Sequence, residues 1–263
     1  GLFRHLYLRW GEATGQVMVC LVVNGPGIPQ PHLLVSRVLA ACPNSSIASI
    51  LLNINTGRTN VILGRETKVL FGEPYIRDVL AGVEVEISPL SFYQVNHQGA
   101  ELLYRQAAEL AALSPGETLL DLYCGAGTIG LSMAKDAKEL IGVEIVESAV
   151  RDAQKNAARS GVQNARFLCA DAGKAAAQLE AEGLHPSVVI LDPPRKGCDE
   201  ATLSAVVRMA PERIVMVSCN PATLARDLRR LARDGYEVRT GRGEDMFPRT
   251  VHVESVALLT RHP

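Results

Sequence analysis

The sequence predicts an α/β protein in which a doubly wound, mostly parallel sheet follows a small α+β domain. Beyond residue 117, apolar segments of strand length alternate strictly with segments of helical periodicity. The apolar runs lack polar alternation, as expected for strands that are buried on both faces of a parallel sheet. A glycine-rich loop follows the first of these strands directly, at the edge where such sheets bind ligands.

The first 96 residues have a different pattern and predict a separate α+β domain, which we expect to be a central or substrate domain. Segments 4–10 and 16–24 are rich in apolar residues and flank a glycine-containing turn, which predicts a hairpin. Residues 32–41 repeat apolar side chains at helical spacing. Further strands are predicted near 46–55, 59–63, 68–71 and 83–88.

A long amphipathic helix is predicted over residues 97–113, where it forms the joint to a second domain spanning 97–263. The second domain begins its strand and helix alternation at residue 118. Its strands are expected near 118–122, 140–144, 166–169, 187–191 and 214–218, followed by a terminal pair at 236–240 and 251–260. Its remaining helices are expected near 128–137, 147–159, 172–182, 199–210 and 222–234.

Composition excludes several classes of protein. A chain of 263 residues with 47% hydrophobic content can bury one large core or two modest ones, which argues against disorder. There is no apolar run of transmembrane length and no signal peptide, so we expect a cytoplasmic protein without a membrane partner. The net charge of -1 excludes a uniformly basic surface. Residues 195–263 nevertheless carry 12 Lys+Arg against 9 Asp+Glu, which fits either a nucleic-acid partner or ordinary solvated helix faces.

The cysteines do not predict a metal centre. None of the six forms a C-x-x-C pair, and no histidine lies at ligand spacing, so we expect neither a metal ion nor an iron–sulfur cluster in this chain. Three of them, Cys20, Cys42 and Cys169, are interpreted as buried structural thiols.

The glycine loop predicts a ligand cradle. Gly125 and Gly127 lack the side chains that would keep a ligand from the backbone, and a helix from about Thr128 would direct free N–H groups toward it. With Gly130 the loop matches G-x-G-x-x-G, and Glu144 follows at the distance of a ribose-binding acid. The loop could therefore bind a dinucleotide, and it could also be a tight turn that binds nothing.

Asp121 favours a different cofactor. It lies inside the strand, four residues before the glycine loop, where a nicotinamide site normally has an apolar residue. Its carboxylate could hold a cationic group such as an amino-acid ammonium, which favours S-adenosylmethionine (SAM) over a dinucleotide.

Polar residues also follow the other strands of the predicted sheet, where ligands bind in open parallel sheets. Asp171 could equally cap the next helix. Asp192 precedes two prolines that stiffen the loop, and Arg195 then stands where methyltransferases acting on exocyclic amines place an aromatic residue, which disfavours that chemistry. The residues at these strand ends are Asp121, Glu144, Asp171, Asp192 and Cys219.

Two residues near the C-terminus are candidates for covalent catalysis. Cys219 follows an apolar strand and precedes Asn220-Pro221, which predicts the start of a helix and hence a lowered thiol pKa and a nucleophile. Glu254 lies in an apolar strand that should raise its carboxyl pKa toward the range of a general base. The alternatives are a buried structural cysteine and a surface glutamate on an edge strand.

Five motifs occur in order along the chain. They are Ser91-Phe-Tyr-Gln-Val-Asn96, Asp121-Leu-Tyr-Cys-Gly-Ala-Gly-Thr128, Asp192-Pro-Pro-Arg195, Ser218-Cys-Asn-Pro221 and Met246-Phe-Pro-Arg-Thr-Val-His-Val-Glu254. This ordered set resembles that of the bacterial RNA uridine-5 methyltransferases, which make 5-methyluridine in 23S ribosomal RNA and tRNA. The resemblance covers essentially the whole chain.

The resemblance implies a Rossmann-like, SAM-dependent methyltransferase domain and an RNA partner, 23S ribosomal RNA or tRNA. It implies methyl transfer from SAM to carbon 5 of a uridine through a covalent cysteine–uracil intermediate, with Cys219 as the nucleophile and Glu254 as the base. The residues that it implies for SAM binding are Gln94, Tyr123, Gly125, Thr128, Glu144, Asp171 and Asp192.

The sequence departs from the family in two respects. Arg249 stands where the family usually has His. Family members generally carry an N-terminal RNA-binding TRAM domain, and some carry an iron–sulfur cluster upstream, so we expect this chain to be a fragment that lacks the TRAM domain.

Three rival functions remain: a nicotinamide oxidoreductase, a non-catalytic RNA-binding module and an RNA cytosine-5 methyltransferase. Neither the target RNA nor the uridine follows from the sequence, and we expect a monomer.

Overall fold

The computed structural model describes residues 1–262, and these divide into two compact units. The first comprises residues 1–79 and 84–93, and the second comprises residues 80–83 and the described chain from Gln94 onward.

The first unit is built on a four-stranded sheet with the order β1-β2-β3-β4. β1 and β2 are antiparallel, β2 and β3 are parallel and joined through α1, and β3 and β4 are antiparallel. β5 and β6 form a separate two-stranded sheet. The elements are β1 (Phe3–Trp10), β2 (Gln16–Val23), α1 (Pro31–Ala41), β3 (Ser46–Ile54), β4 (Glu66–Gly72), β5 (Ile76–Leu80) and β6 (Val83–Ile87).

One strand prediction in this unit was wrong, and one strand was not predicted. Residues 59–63 form a loop, because the side-chain amide of Asn55 donates to the carbonyls of Val61 (2.8 Å) and Ile62 (3.0 Å), which replaces the ladder of a strand. β5 was missed because the buried Asp78 interrupts its apolar pattern. Its carboxylate accepts hydrogen bonds from the Ala13 N–H (2.9 Å) and other backbone groups.

The second unit contains a seven-stranded sheet with the order β12-β13-β11-β10-β7-β8-β9. The five strands from β11 to β9 in this order are parallel, and β13 is antiparallel to both β11 and β12. This confirms the predicted doubly wound, mostly parallel sheet. The strands are β7 (Thr118–Leu122), β8 (Glu139–Glu144), β9 (Ala165–Cys169), β10 (Val188–Leu191), β11 (Arg213–Ser218), β12 (Tyr236–Glu244) and β13 (Glu254–Arg261).

The helices of this unit lie close to their predicted positions, with two differences in length. α2 ends at Ala111, and α3 has only six residues before a 3₁₀ turn over 134–136. The helices are α2 (His97–Ala111), α3 (Thr128–Met133), α4 (Glu147–Arg159), α5 (Ala172–Ala181), α6 (Glu200–Met209) and α7 (Pro221–Arg233).

The core of the second unit follows from burial on both faces of the sheet. All four residues of β10 and the side chains of β7 from Leu119 to Leu122 are buried. α5 and α6 pack alanines and leucines against one face of this sheet, with Ala176, Leu179 and Leu203 in the same cluster. The rigid central strands therefore fix the positions of the residues at their carboxyl ends.

Candidate active site

The sheet order creates a ligand crevice at one edge. The chain proceeds from β7 outward to β8 and β9, and then returns to the other side of β7 with β10 and β11. This reversal is a topological switch point, and ligands bind beyond the carboxyl ends of the strands there. The crevice thus lies between the strand end of β7, which carries Asp121, and that of β10, which precedes Asp192.

Asp121 is buried beneath this crevice with one unsatisfied oxygen. It is 1% exposed, and its Oδ2 accepts a hydrogen bond from the Gly130 N–H at 3.1 Å. Its Oδ1 has no hydrogen-bond partner among the described residues. Burial raises the pKa of Asp121 to about 7, the Gly130 N–H lowers it, and the charge of Glu144 raises it.

The glycine loop above Asp121 has the geometry of a cradle. Gly125 and Gly127 adopt positive φ angles of 55° and 78°. A Cβ added at Gly125 would meet no atom within 4 Å, so the loop is open above this residue. A Cβ added at Gly130 would lie 2.7 Å from Asp121 Oδ2, so Gly130 is required for close packing beneath the loop.

Two polar side chains hold the loop in place. Glu144 Oε2 accepts from the Gly125 N–H (3.1 Å), and its Oε1 accepts from the Val146 N–H (2.8 Å). Asn156 of α4 donates from Nδ2 to the Ala126 carbonyl (3.0 Å). Glu144 therefore lies at the loop, as the sequence predicts, but both of its oxygens already accept backbone hydrogen bonds.

Tyr123 begins the loop in a left-handed conformation, with φ 66°. Its hydroxyl lies 3.2 Å from Thr202 Oγ1 of α6. A non-glycine residue at positive φ stores backbone strain of about 1 kcal/mol or more, and such strain clusters at ligand sites. The phenol ring is anchored against α6, which fixes the backbone of the loop.

Three further residues implied for SAM binding, Thr128, Asp171 and Gln94, are placed differently. Thr128 is the first residue of α3, and its Oγ1 lies 3.1 Å from the hydroxyl of the buried Tyr104. Asp171 caps α5 by accepting from the Lys174 N–H at 3.2 Å. Gln94 is half-buried in the loop before α2, and no hydrogen bond or ion pair within residues 1–262 joins it to the glycine loop.

Asp192 follows β10 directly, and its carboxylate is the second anionic group of the crevice. Burial, together with the charges of Asp121 and Glu254, raises its pKa to about 8. The pairing of β7 with β10 and of β11 with β13 brings Asp121, Asp192 and Glu254 to the same edge of the sheet, and we call these three carboxyl groups the cluster.

Cys219 lies half-buried between β11 and α7. The prediction of a lowered pKa was wrong for this thiol. Its burial raises the pKa most, the charge of Glu254 raises it next, Arg195 lowers it, and Asp192 raises it again. The two nearby carboxylates and burial therefore outweigh the effect of the helix N-terminus and of the arginine.

Glu254 lies beside Cys219 on β13, which runs antiparallel to β11. It is the first residue of β13, which begins three residues later than predicted, and it is 9% exposed. Ser255 pairs with Ser218 across the antiparallel strands, so Glu254 lies at the edge that carries Cys219. Burial raises its pKa, as the sequence predicts, and Arg195 opposes the shift.

Of the three cysteines that were predicted to be buried, one is buried and two are exposed. Cys20 is buried, but Cys42 and Cys169 are exposed, contrary to the prediction, because they lie at the end of α1 and at the end of the edge strand β9. Within residues 1–262, no cluster of three His, Cys, Asp or Glu side chains could hold a metal ion. The same residues include no helix with the length and apolarity to span a membrane.

Sequence reasoning missed several residues that shape this site. Asn156 stands at helical spacing from the buried Val150 and Ala153, and a polar residue in such a stripe is the signal that could have found it. Thr202 and Tyr104 gave no signal, because their roles depend on contacts between distant elements.

The family model for tRNA (uracil-5-)-methyltransferase matches residues 46–262. The chain belongs to this family. An uncharacterized RNA methyltransferase of Halalkalibacterium halodurans is 48% identical over 259 residues, which cover 98% of this chain and 56% of the relative. One from Staphylococcus aureus is 46% identical over 258 residues, with 98% and 56% covered. The chain thus spans little more than half the length of these curated relatives.

A solved structure of the family agrees with the fold. The tRNA (uracil-54, C5)-methyltransferase of Pyrococcus abyssi, in complex with S-adenosyl-L-homocysteine, superposes with a TM-score of 0.80 and 32% sequence identity. The match covers 99% of this chain and 60% of that one. Family membership thus covers both units, since the family model begins in β3 of the first.

Proposed function

We propose that this chain is the catalytic part of a SAM-dependent RNA methyltransferase that methylates carbon 5 of a uridine in 23S ribosomal RNA or tRNA. The observation that carries the proposal is the convergence of Cys219 and Glu254 at one edge of the sheet, beside Asp192 and the glycine loop. A nicotinamide oxidoreductase needs no thiol and no carboxylate at these positions.

The crevice fits a cationic cofactor. Asp121 offers a buried oxygen without a hydrogen-bond partner, and Asp192 and Glu254 are the other carboxyl groups of the crevice. A cation bound beside Asp121 and Asp192 would lower their raised pKa values and so favour the ionised carboxylates. SAM carries an ammonium and a sulfonium, and the cluster complements both charges. When bound, SAM supplies an electrophilic methyl group.

The residues that would hold SAM follow from the same geometry. The open backbone at Gly125, with Glu144 beneath it, suits a nucleoside, and Asp121 and Asp192 suit the cationic part. Tyr123 and Thr128 shape the loop through their hydroxyl contacts. We retain Gln94 and Asp171 as proposed contacts on the family resemblance.

Cys219 and Glu254 account for the chemistry on the uracil ring. Carbon 5 of uracil is a weak nucleophile, and addition of the Cys219 thiolate to carbon 6 places an electron pair on carbon 5. Once carbon 5 carries the methyl group, Glu254 accepts the proton of that carbon. The electrons of the broken C–H bond restore the 5,6 double bond and expel the thiolate, so the enzyme is regenerated.

The target uridine must leave its stack to reach this edge. Unstacking costs a few kcal/mol and is cheapest in loops, which favours single-stranded or loop uridines. The Arg195 guanidinium, which is exposed beside the crevice, can meet the phosphates of such a loop.

The test is methyl transfer from labelled SAM to 23S ribosomal RNA and to tRNA, followed by nucleoside analysis. We expect label in 5-methyluridine from one of the two RNAs. Label in 5-methylcytidine would replace the proposal with the cytosine enzyme. SAM binding with no label in either RNA would favour a non-catalytic RNA-binding module.

A further inference from the structure

The loop after Asp192 is fastened to the first two turns of α7, the helix that Cys219 precedes. The Arg195 carbonyl accepts from Asn220 Nδ2 (3.1 Å) and Thr223 Oγ1 (3.3 Å). These residues stand three apart and therefore share one face of the helix.

Arg226 and Asp227 continue this contact one turn further along α7. Asp227 is 1% exposed, and its Oδ2 accepts from the Cys198 N–H at 2.8 Å. Arg226 donates from Nη2 to the carbonyls of Lys196 (3.0 Å) and Cys198 (3.1 Å), and from Nε to Asp227 Oδ1 (2.8 Å). We call these two side chains the α7 clamp.

The conformation of the 195–198 loop leaves room for the two clamp side chains. Gly197 has φ 78°, and a Cβ there would lie 2.6 Å from Asp227 Oδ2 and would also collide with the Arg226 guanidinium. The Gly197 N–H donates to the Pro194 carbonyl at 2.8 Å. Five of the eight backbone N–H and C=O groups from Arg195 to Cys198 are thus bound by the turn itself or by α7.

No hydrogen bond or ion pair within residues 1–262 joins the clamp to Cys219 or Glu254. The clamp binds the backbone of Lys196 and Cys198, and the neighbouring Arg195 is held through its carbonyl by Asn220, the residue after Cys219. Arg195 is the cation that lowers the pKa of both Cys219 and Glu254. The charged groups that act directly on the Cys219 thiol are Glu254, Arg195 and Asp192, and Asp227 is not one of them.

We infer that Arg226 and Asp227 are positioning residues, which fasten the 195–198 loop to α7 so that the Arg195 guanidinium stays within electrostatic range of Cys219 and Glu254. The catalytic consequence rests on the proposed function, whereas the effect on the thiol does not. The clamp also fixes the backbone of Cys198 through both its N–H and its carbonyl.

The direction in which the pKa of Cys219 changes distinguishes a positioning role of Asp227 from a direct effect of its charge. Removing the Asp227 carboxylate directly would stabilise the Cys219 thiolate and lower its pKa, because a negative charge is lost. Releasing Arg195 has the opposite sign, because a positive charge moves away from the thiolate. Arg226→Lys keeps the charge and removes only the forked hydrogen bonds.

The experiment is the pH dependence of Cys219 alkylation by iodoacetamide, read on the Cys219 peptide by mass spectrometry. For Asp227→Asn and Arg226→Lys we expect the midpoint to rise by about half a pH unit, which slows alkylation at neutral pH about threefold. Arg195→Gln should give the same rise, and the double variant Arg195→Gln/Asp227→Asn should show no further rise, because both act through one cation. The matched control, Asp234→Asn, removes a carboxylate that pairs with Arg230 on the same helix and should leave the midpoint unchanged.

Two results would overturn the inference: a midpoint that stays or falls in Arg226→Lys, or shifts of Arg195→Gln and Asp227→Asn that add. Circular dichroism and the melting temperature identify variants that fail to fold. If Asp227→Asn fails to fold, the inference is tested by Arg226→Lys and by the double-mutant cycle of Arg195→Gln with Arg226→Lys. The assay needs neither RNA nor SAM, so failure of the clamp and failure of the proposed function are separate results.

Discussion

Ser218 of β11 pairs with Ser255 of β13 in antiparallel register. The residue after Ser218 is Cys219, and the residue before Ser255 is Glu254, so the pairing brings the thiol and the carboxylate to one edge of the sheet. The proposed nucleophile and the proposed base, separated by 34 residues in sequence, thus occupy neighbouring positions because the last strand runs antiparallel to its neighbours.

Replacing Cys219 with Ala should reduce methyl transfer at least about a thousandfold, because no other group can add to carbon 6. SAM binding, measured by calorimetry, should be unchanged, since the thiol is not among the groups that we propose to hold SAM. Cys42→Ala, an exposed cysteine of the first unit, is the control and should retain full activity. Methyl transfer by Cys219→Ala at the wild-type rate would exclude the covalent scheme.

Glu254→Gln should trap the RNA on the protein, because the proton of carbon 5 then has no acceptor and Cys219 cannot leave. The measurement is a covalent protein–RNA band on a denaturing gel after incubation with SAM. Free release of methylated RNA from this variant would count against Glu254 as the base.

Stability of the unliganded protein should fall as pH rises from about 5 to 8. Asp121 and Asp192 have pKa values of about 7 and 8 in the fold, above their ordinary values, so the folded state holds protons that the unfolded chain has lost. Asp192→Asn should flatten this dependence and raise the melting temperature at pH 8 by at least about 2 °C. Asp136→Asn, at an exposed carboxylate, is the control; equal behaviour of both variants would contradict the burial argument.

Asp121→Asn should weaken SAM binding at least about tenfold, because a hydrogen bond to a charged partner contributes about 1.5–3 kcal/mol. Wild-type affinity should rise with pH through about 7 as Asp121 ionises, and the variant should lose that rise. Calorimetry at several pH values measures both. An affinity that does not depend on Asp121 would exclude the buried carboxylate from the cofactor site.

Two glycines should respond differently to the same substitution. Gly125→Ala has open space around its Cβ and should fold, at a cost of about 1 kcal/mol for its positive φ, while its methyl group obstructs the cradle and weakens SAM binding. Gly130→Ala has its Cβ 2.7 Å from Asp121 Oδ2 and 2.8 Å from Leu140 Cδ1, so it should lose stability. Thermal melts and calorimetry distinguish the two; tight SAM binding by Gly125→Ala would contradict the cradle.

The second unit could be predicted from the sequence to within a few residues. Its strands are apolar throughout and its helices carry clear periodicity, and α4 and β7 begin and end where predicted. The polar residues at the strand ends followed from the parallel topology. Cys219 and Glu254 could each be proposed from local pattern, but that they lie side by side could not be predicted, since local sequence does not determine the register of β13.

The remaining features depend on tertiary contacts that local sequence does not show. The 59–63 loop exists because Asn55 reaches across to its carbonyls, and β5 contains an Asp that distant backbone groups satisfy. The pKa of Cys219 is raised by burial and by the carboxylates of Glu254 and Asp192, which lie on distant parts of the chain. Local sequence shows only the helix that follows the cysteine.

The most direct test of the central claim is the intact mass of the protein after incubation with SAM and RNA that contains 5-fluorouridine. Glu254 cannot remove fluorine as a proton, so the wild-type protein should gain the mass of the methylated RNA, and Cys219→Ala should gain none. Absence of an adduct in the wild-type protein, with SAM binding demonstrated in the same sample, would contradict covalent catalysis by Cys219.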